Sequence, residues 1–115
     1  MVMPGLRGPD CDAVDAVADA TVRTLRRTVP AAVAGVAFLS GGQSADAATA
    51  RLKATHARHA TARARCPLPL TFSFGRALQD EALAAWAGDD ANREAARSIL
   101  LRRARSNGAA LLDAG

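Results

Sequence analysis

Two short glycine-bearing stretches constrain this chain more than anything else in it, Leu39-Ser40-Gly41-Gly42 and Phe72-Ser73-Phe74-Gly75-Arg76. Each follows an apolar run suited to a buried strand, and each leads straight into a helical pattern. Small residues at the C-terminal end of a strand let backbone N–H groups approach an anion closely, and the helix that follows adds the positive end of its dipole. Two such turns in successive strand-helix units, the second with Arg76 beside it, fit one phosphate held between neighbouring loops.

The rest of the chain is arranged around these turns. Residues 1–8 carry Pro4, Gly5 and Gly8 and read as a loop. Pro9 suits the first turn of a helix, with Asp10 and Asp12 near its positive end. Val14, Val17, Ala18, Thr21, Val22 and Leu25 then recur at helical spacing, Arg23, Arg26 and Arg27 close the last turns, and Pro30 stops the helix. The nearly continuous apolar run Ala31 to Leu39 suits a parallel strand buried on both faces. Ser44 is a good N-cap for a second helix, with Asp46 in its first turn and Ala47, Ala48, Leu52 and Thr55 on one face. Residues 56–66 hold no large apolar side chain and read as a frayed helix end or an exposed linker. Leu70 to Phe74 forms a second short strand. Arg76 opens a helix with Leu78, Ala82, Leu83 and Trp86 as apolar contacts, and Gly88-Asp89-Asp90 leads into a last helix with Ala95, Ala96, Ile99, Leu100 and Ala104 on its face, ended or kinked at Gly108.

Strand-helix alternation of this kind argues a parallel α/β sheet. Two parallel strands leave both edges open, so the sequence reads as part of a larger fold whose remainder lies before Met1. A (β/α)8 barrel commonly builds its phosphate site from the loops after its last two strands. Residues 1–115 are expected to be one portion of an α/β fold of that kind.

Composition narrows the functions. The apolar half of the chain is largely alanine, and only Phe38, Phe72, Phe74 and Trp86 are aromatic, so large core side chains are few. The net charge of +4 rests almost wholly on arginine, with Lys53 the sole lysine. Arg102, Arg103 and Arg105 with Arg58, Arg63 and Arg65 invite a nucleic-acid reading, but no stacking aromatics accompany them and a solvated helix face is favoured. His56 and His59 stand at a spacing that can hold a metal; lacking a third ligand nearby, they read as solvent-facing, and no metal or cofactor is expected. Cys11 and Cys66 have no CxxC spacing, and Cys11, near a helix N-terminus, reads as a partly buried small residue. Asp80-Glu81 reads as a pair of first-turn acids rather than catalytic carboxylates. No apolar run approaches the ~20 residues that cross a bilayer. A soluble protein in a reduced, cytoplasmic setting is expected.

The run Thr28-Val-Pro-Ala-Ala-Val-Ala-Gly-Val-Ala-Phe-Leu-Ser-Gly-Gly-Gln-Ser44, then Cys66-Pro-Leu-Pro69, Phe72-Ser-Phe-Gly-Arg-Ala-Leu-Gln79 and Ala82-Leu-Ala-Ala-Trp86, closely resembles the C-terminal third of class I fructose-bisphosphate aldolases. Several blocks occur in the family's order, which is far more specific than a lone glycine motif. Met1-Val2 with Pro4-Gly5 resembles the segment that follows the family's Lys-Pro-Asn-Met-Val motif.

The resemblance implies a metal-independent enzyme that cleaves fructose 1,6-bisphosphate to dihydroxyacetone phosphate and glyceraldehyde 3-phosphate, is usually homo-oligomeric, and forms a Schiff base on the lysine of Lys-Pro-Asn. That lysine is not among these residues, and neither are the family's acid-base carboxylates, so no catalytic residue is assigned here. Phosphate recognition does carry over. Ser40, Gly41 and Gly42 would contact the phosphate next to the ketone, Gly75 and Arg76 would do so from the last strand, and Ser73 belongs to the same motif. The chain departs from the family in its longer 56–65 stretch, in Leu70-Thr71 after Pro-Leu-Pro, and in ending Ala114-Gly115 without a terminal tyrosine. The expectation is an aldolase fragment that holds the phosphate site, is inactive alone, and aggregates or stays molten unless an upstream polypeptide completes it. A gene fragment, a mis-started frame and a split enzyme all remain open. The alternative is a non-catalytic module for phosphate or polyanion binding or for assembly.

Overall fold

The computed structural model of the chain describes residues 1–4, 13–62 and 68–112. The readings of Pro9, Asp10, Cys11, Asp12, Arg63, Arg65 and Cys66 lie outside them. Helix α1 spans Val14–Thr28, strand β1 Val36–Phe38, helix α2 Ala45–Ala62, strand β2 Leu70–Phe72, helix α3 Arg76–Trp86 and helix α4 Arg93–Ala109, with a 3-10 turn over Asp90–Asn92 between the last two.

Helix α1 buries Val17, Ala18, Thr21 and Val22, the stripe its spacing sets. It ends where Val29 turns extended before Pro30, as the residue preceding a proline is pushed to do. A turn closed by the Val33 N–H on the Pro30 carbonyl follows. This turn shortens β1, so the apolar run from Ala31 does not become strand until Val36.

β1 and β2 pair in parallel, with Val36 opposite Leu70, Ala37 opposite Thr71 and Phe38 opposite Phe72. Gly35 enters β1 so close to its neighbour that a Cβ would sit 3.1 Å from the Pro69 carbonyl oxygen, which makes a side chain there costly. Phe38 and Leu70 lie on one face of the sheet and pack with Phe74, Ala48 and Leu52 of α2, Ala77 of α3 and Ala110. Ala37 and Leu39 alternate to the other face and stay exposed. Burial on both faces, expected from the unbroken apolar run, is therefore not met within this chain, because its helices gather on one side.

Helix α2 runs on to Ala62, so the described part of the 56–66 stretch is regular helix and not linker. His59 holds it down. The ring is buried, against the expectation that it faces solvent, and its Nε2 lies 2.7 Å from the Leu68 carbonyl. Hydrogen bonding to the segment entering β2 does here what an apolar side chain would otherwise do.

Two expected apolar faces turn outward. Leu83 and Trp86 of α3 are exposed, and α4 exposes Leu100 and Leu101 while burying Arg103 and Asn107. The inner face of α4 is polar because it meets a polar stripe on α2. Arg103 donates to Asp46 Oδ1 at 2.7 Å and to Thr49 Oγ1 at 3.1 Å, and the Thr49 hydroxyl donates to Asn107 Oδ1 at 2.6 Å. Gly108 does not end α4, which continues to Ala109. Among the described residues no helix is long and apolar enough to cross a membrane.

Candidate functional site

Strand β1 delivers Ser40 and strand β2 delivers Ser73 to the same end of the sheet. The two exits are tied together, since the Ser73 N–H donates to the Phe38 carbonyl at 2.8 Å and so extends the ladder one residue past β2. Both loops follow C-terminal strand ends and both open a helix.

In the first loop Gly41 and Gly42 have φ of +60° and +83°, the left-handed region that favours glycine. The turn is closed on Ser40, whose carbonyl accepts the Gln43 N–H at 3.2 Å and Gln43 Nε2 at 2.7 Å. Among the described residues no backbone carbonyl takes the N–H of Gly41 or Gly42. Ser44 caps α2 as its sequence position predicts, its Oγ accepting the Ala47 N–H at 3.2 Å.

In the second loop Gly75 precedes α3 with a negative φ of −94°. A Cβ on it would meet nothing within 4 Å, so packing among the described residues does not demand glycine there. The Leu78 and Gln79 N–H groups both donate to the Gly75 carbonyl at 3.0 Å. Those of Arg76 and Ala77 belong to the first turn and have no partner within the helix.

Arg76 joins the loops. Its Nη2 lies 3.5 Å from the place a Cβ of Gly42 would occupy, so the guanidinium reaches across to the first turn. A cation in the first helical turn opposes the helix dipole. Helix α3 offsets it with nothing, having no side-chain cap and no acid in its first turn. Asp80 and Glu81 sit beyond that turn, which corrects their reading as first-turn acids, and Glu81 instead accepts from Arg102 at 3.2 Å. The result is a local surplus of positive potential and open N–H donors, where an anion would be stabilised.

Sequence reading missed two residues of this region, Gln43 and the buried Arg51, whose Nη1 donates to Gln43 Oε1 at 3.0 Å. Neither stands out by hydropathy or helical spacing, since Gln43 lies before α2 begins at Ala45. The thioether of Met1 also lies nearby, its Sδ 3.9 Å from Gln43 Nε2.

The remaining candidates do not converge on the loops. Lys53 is exposed on α2. His56 and His59 belong to no metal-holding cluster among the described residues. The arginines read as one basic face are dispersed, with Arg103 buried, Arg102 paired to Glu81 and Arg58 bonded to Asp19 at 2.7 Å. Arg58 instead joins Arg23, Arg26 and Arg27 in lining a groove of about 650 Å³ that also holds its partner Asp19.

Comparison with known proteins gives one answer. The sequence model of the family described as "Fructose-bisphosphate aldolase class-I" matches residues 1–114. The chain is 49% identical over 110 residues to fructose-bisphosphate aldolase B of Sparus aurata, covering 96% of this chain and 29% of that protein. It is 48% identical over 112 residues to a cytoplasmic isozyme of fructose-bisphosphate aldolase from Cicer arietinum, covering 97% and 30% respectively. Among solved structures, the Plasmodium falciparum fructose-bisphosphate aldolase crystallised with TRAP and a small-molecule inhibitor superposes with a TM-score of 0.77 at 47% sequence identity. That match covers 85% of this chain and 27% of the aldolase chain. The chain thus spans less than a third of the length of the relatives it matches, and by sequence and backbone alike it belongs to the class I fructose-bisphosphate aldolase family.

Proposed function

We propose that this chain supplies the last two strand-helix units of a (β/α)8 barrel and, within it, the part of an aldolase site that holds the substrate phosphate next to the ketone. In this reading the Ser40 hydroxyl, the Gly41 and Gly42 N–H groups, Gly75 and Arg76 grip the phosphate oxygens, and Ser73 adds its hydroxyl. Arg76 is the charge-assisted donor, the kind that contributes most to anion binding. The observation that carries the proposal is the guanidinium of Arg76 lying against Gly42, which puts charge and bare backbone from two loops in one place. Gly75 adds to it: open space where its Cβ would be leaves a ligand's approach as a reason for glycine.

The reaction proposed for the completed barrel is cleavage of fructose 1,6-bisphosphate to dihydroxyacetone phosphate and glyceraldehyde 3-phosphate through a Schiff base, with no metal, in the cytoplasm and within a homo-oligomer. The chain's own share is binding and orientation. Its sole lysine, Lys53, is exposed on α2, away from the strand ends, and does not serve as the nucleophile. The 115-residue chain alone is therefore proposed to bind phosphate without cleaving the sugar. Purified chain should bind inorganic phosphate in equilibrium dialysis and show no cleavage activity. Activity should appear on co-expression with a polypeptide carrying the rest of a relative's barrel, including its Lys-Pro-Asn lysine. Cleavage by the chain alone, or no phosphate binding, would sink the reading.

The polyanion reading has one observation in its favour, the groove lined by Arg23, Arg26, Arg27 and Arg58. The two part on salt and on sequence. Polyanion binding falls steeply with ionic strength and tracks these arginines, whereas binding at the loops is lost with Arg76→Ala.

A further inference from the structure

The side chain of Gln43 is bonded at both ends. Its Nε2 donates to the Ser40 carbonyl at 2.7 Å, and its Oε1 accepts from Arg51 Nη1 at 3.0 Å. A carboxamide can be turned over, exchanging its oxygen and nitrogen, and only its partners decide which end goes where. A guanidinium has donors and no acceptor, and it stays charged at any ordinary pH. Arg51 therefore accepts only the oxygen end, and the NH2 end is left to face Ser40. Arg51 is itself fixed, 8% exposed on a helix whose first turn is capped by Ser44.

The polarity of that amide reaches the cradle through one peptide plane. In a trans peptide the C=O of Ser40 and the N–H of Gly41 are rigidly coplanar and point in opposite directions. Tying the carbonyl towards Gln43 turns the Gly41 N–H away from it. The Ser40 carbonyl also accepts the Gln43 N–H, at 3.2 Å a longer bond than the 2.7 Å one from Nε2, and Gly41 and Gly42, both at positive φ, add no bulk to restrict that plane. We infer that Arg51, acting through Gln43, is a positioning residue that fixes the direction of the Gly41 N–H for phosphate, an inference that rests on the phosphate-site reading above.

The test compares Arg51 variants by what they offer Gln43. The chain, co-expressed with a polypeptide carrying the rest of a relative's barrel, is dialysed at low micromolar concentration against inorganic phosphate, with thermal stability measured in parallel. Arg51→Lys keeps a cationic donor and should hold affinity within about twofold. Arg51→Met keeps the packing but frees the amide, and should weaken binding about 3- to 10-fold, the worth of one hydrogen bond. Arg51→Glu offers an acceptor, invites the NH2 end and turns the oxygen onto the Ser40 carbonyl, so it should lose more than Arg51→Met. Gln43→Leu should match Arg51→Met.

If Arg51→Met binds as well as Arg51→Lys, the inference is overturned. It is also overturned if affinity in the series falls only in step with thermal stability, since that is what a packing role alone produces. Should Arg51→Glu fail to fold, the Lys and Met pair decides. Loss of binding in Arg76→Ala with no change across the Arg51 series removes this inference and keeps the phosphate site, whereas a wild-type chain that binds no phosphate removes both.

Discussion

Arg76 and Gly42 are a pair whose members have different jobs. Arg76 is exposed and has no ion-pair or hydrogen-bond partner among the described residues, so Arg76→Ala should leave stability nearly unchanged while weakening phosphate binding roughly 10- to 100-fold, the range for a charge-assisted bond. Dialysis and a melting curve on the same sample check both halves. Gly42→Ala should lower stability as well as binding. Its φ of +83° places any L side chain in the left-handed region, and the new methyl would stand 3.5 Å from Arg76 Nη2. A loss of about 1–2 kcal/mol in stability is expected, together with weaker binding. In the sequence these glycines taken alone read as turn glycines, and it is the several blocks matching one family in order that single them out as candidates. Gln43 and Arg51 were not singled out, since their role is to hold a neighbour's carbonyl and hydropathy carries no trace of that.

At the scale of elements, the contact between α2 and α4 departs most from an apolar pattern. Scoring α4 for greasy spacing selects Ile99 and Leu100, but the buried side carries Arg103 and Asn107, four apart, facing Asp46 and Thr49, three apart. That complementary pair of polar spacings is present in the sequence, but apolar periodicity carries no sign of it. The end of α2 leaves helix and linker undecided in the sequence for the same reason, as His59 holds it by a hydrogen bond and not by an apolar contact. The ion pair is asymmetric: the Arg103 side chain is 8% exposed and that of Asp46 91%. Asp46→Ala strands a buried cation, with a cost of about 2 kcal/mol for the lost charged hydrogen bond. Arg103→Met leaves a carboxylate that water already solvates and fills the site with an apolar chain, so its cost should be smaller. Chemical denaturation of the two variants checks the order, and an Arg103→Met that is the more damaging would show that the guanidinium matters chiefly as packing.

The whole molecule is extended for its length. Its radius of gyration is 15.7 Å with extents of 50 × 34 × 25 Å, against ~13 Å for a compact domain of this size. Leu39, Leu83, Trp86 and Leu101 are exposed, as is one face of a two-stranded sheet. Apolar surface and unpaired strand edges of this kind drive association. The isolated chain should therefore self-associate with rising concentration, seen as a growing sedimentation coefficient between low and high micromolar protein. A species that stays monomeric throughout would mean that the exposed residues find cover within the chain. Strand-helix alternation made the parallel pairing legible in advance; which faces stay open was not, because that depends on elements outside these residues.

The parallel register, Val36 on Leu70, has a consequence in time. The two strands flank the whole of α2, so no hairpin can zip them together and their ends must meet across that intervening segment. Closing a loop is easier when its contents are already short and stiff, and a helix forms in about a microsecond or less while distant strands are still searching. The sheet is then the last feature to appear. The refolding rate, read by mixing out of denaturant, would answer more to α2 than to the strands themselves, and the two glycine loops would come into being only as folding ends.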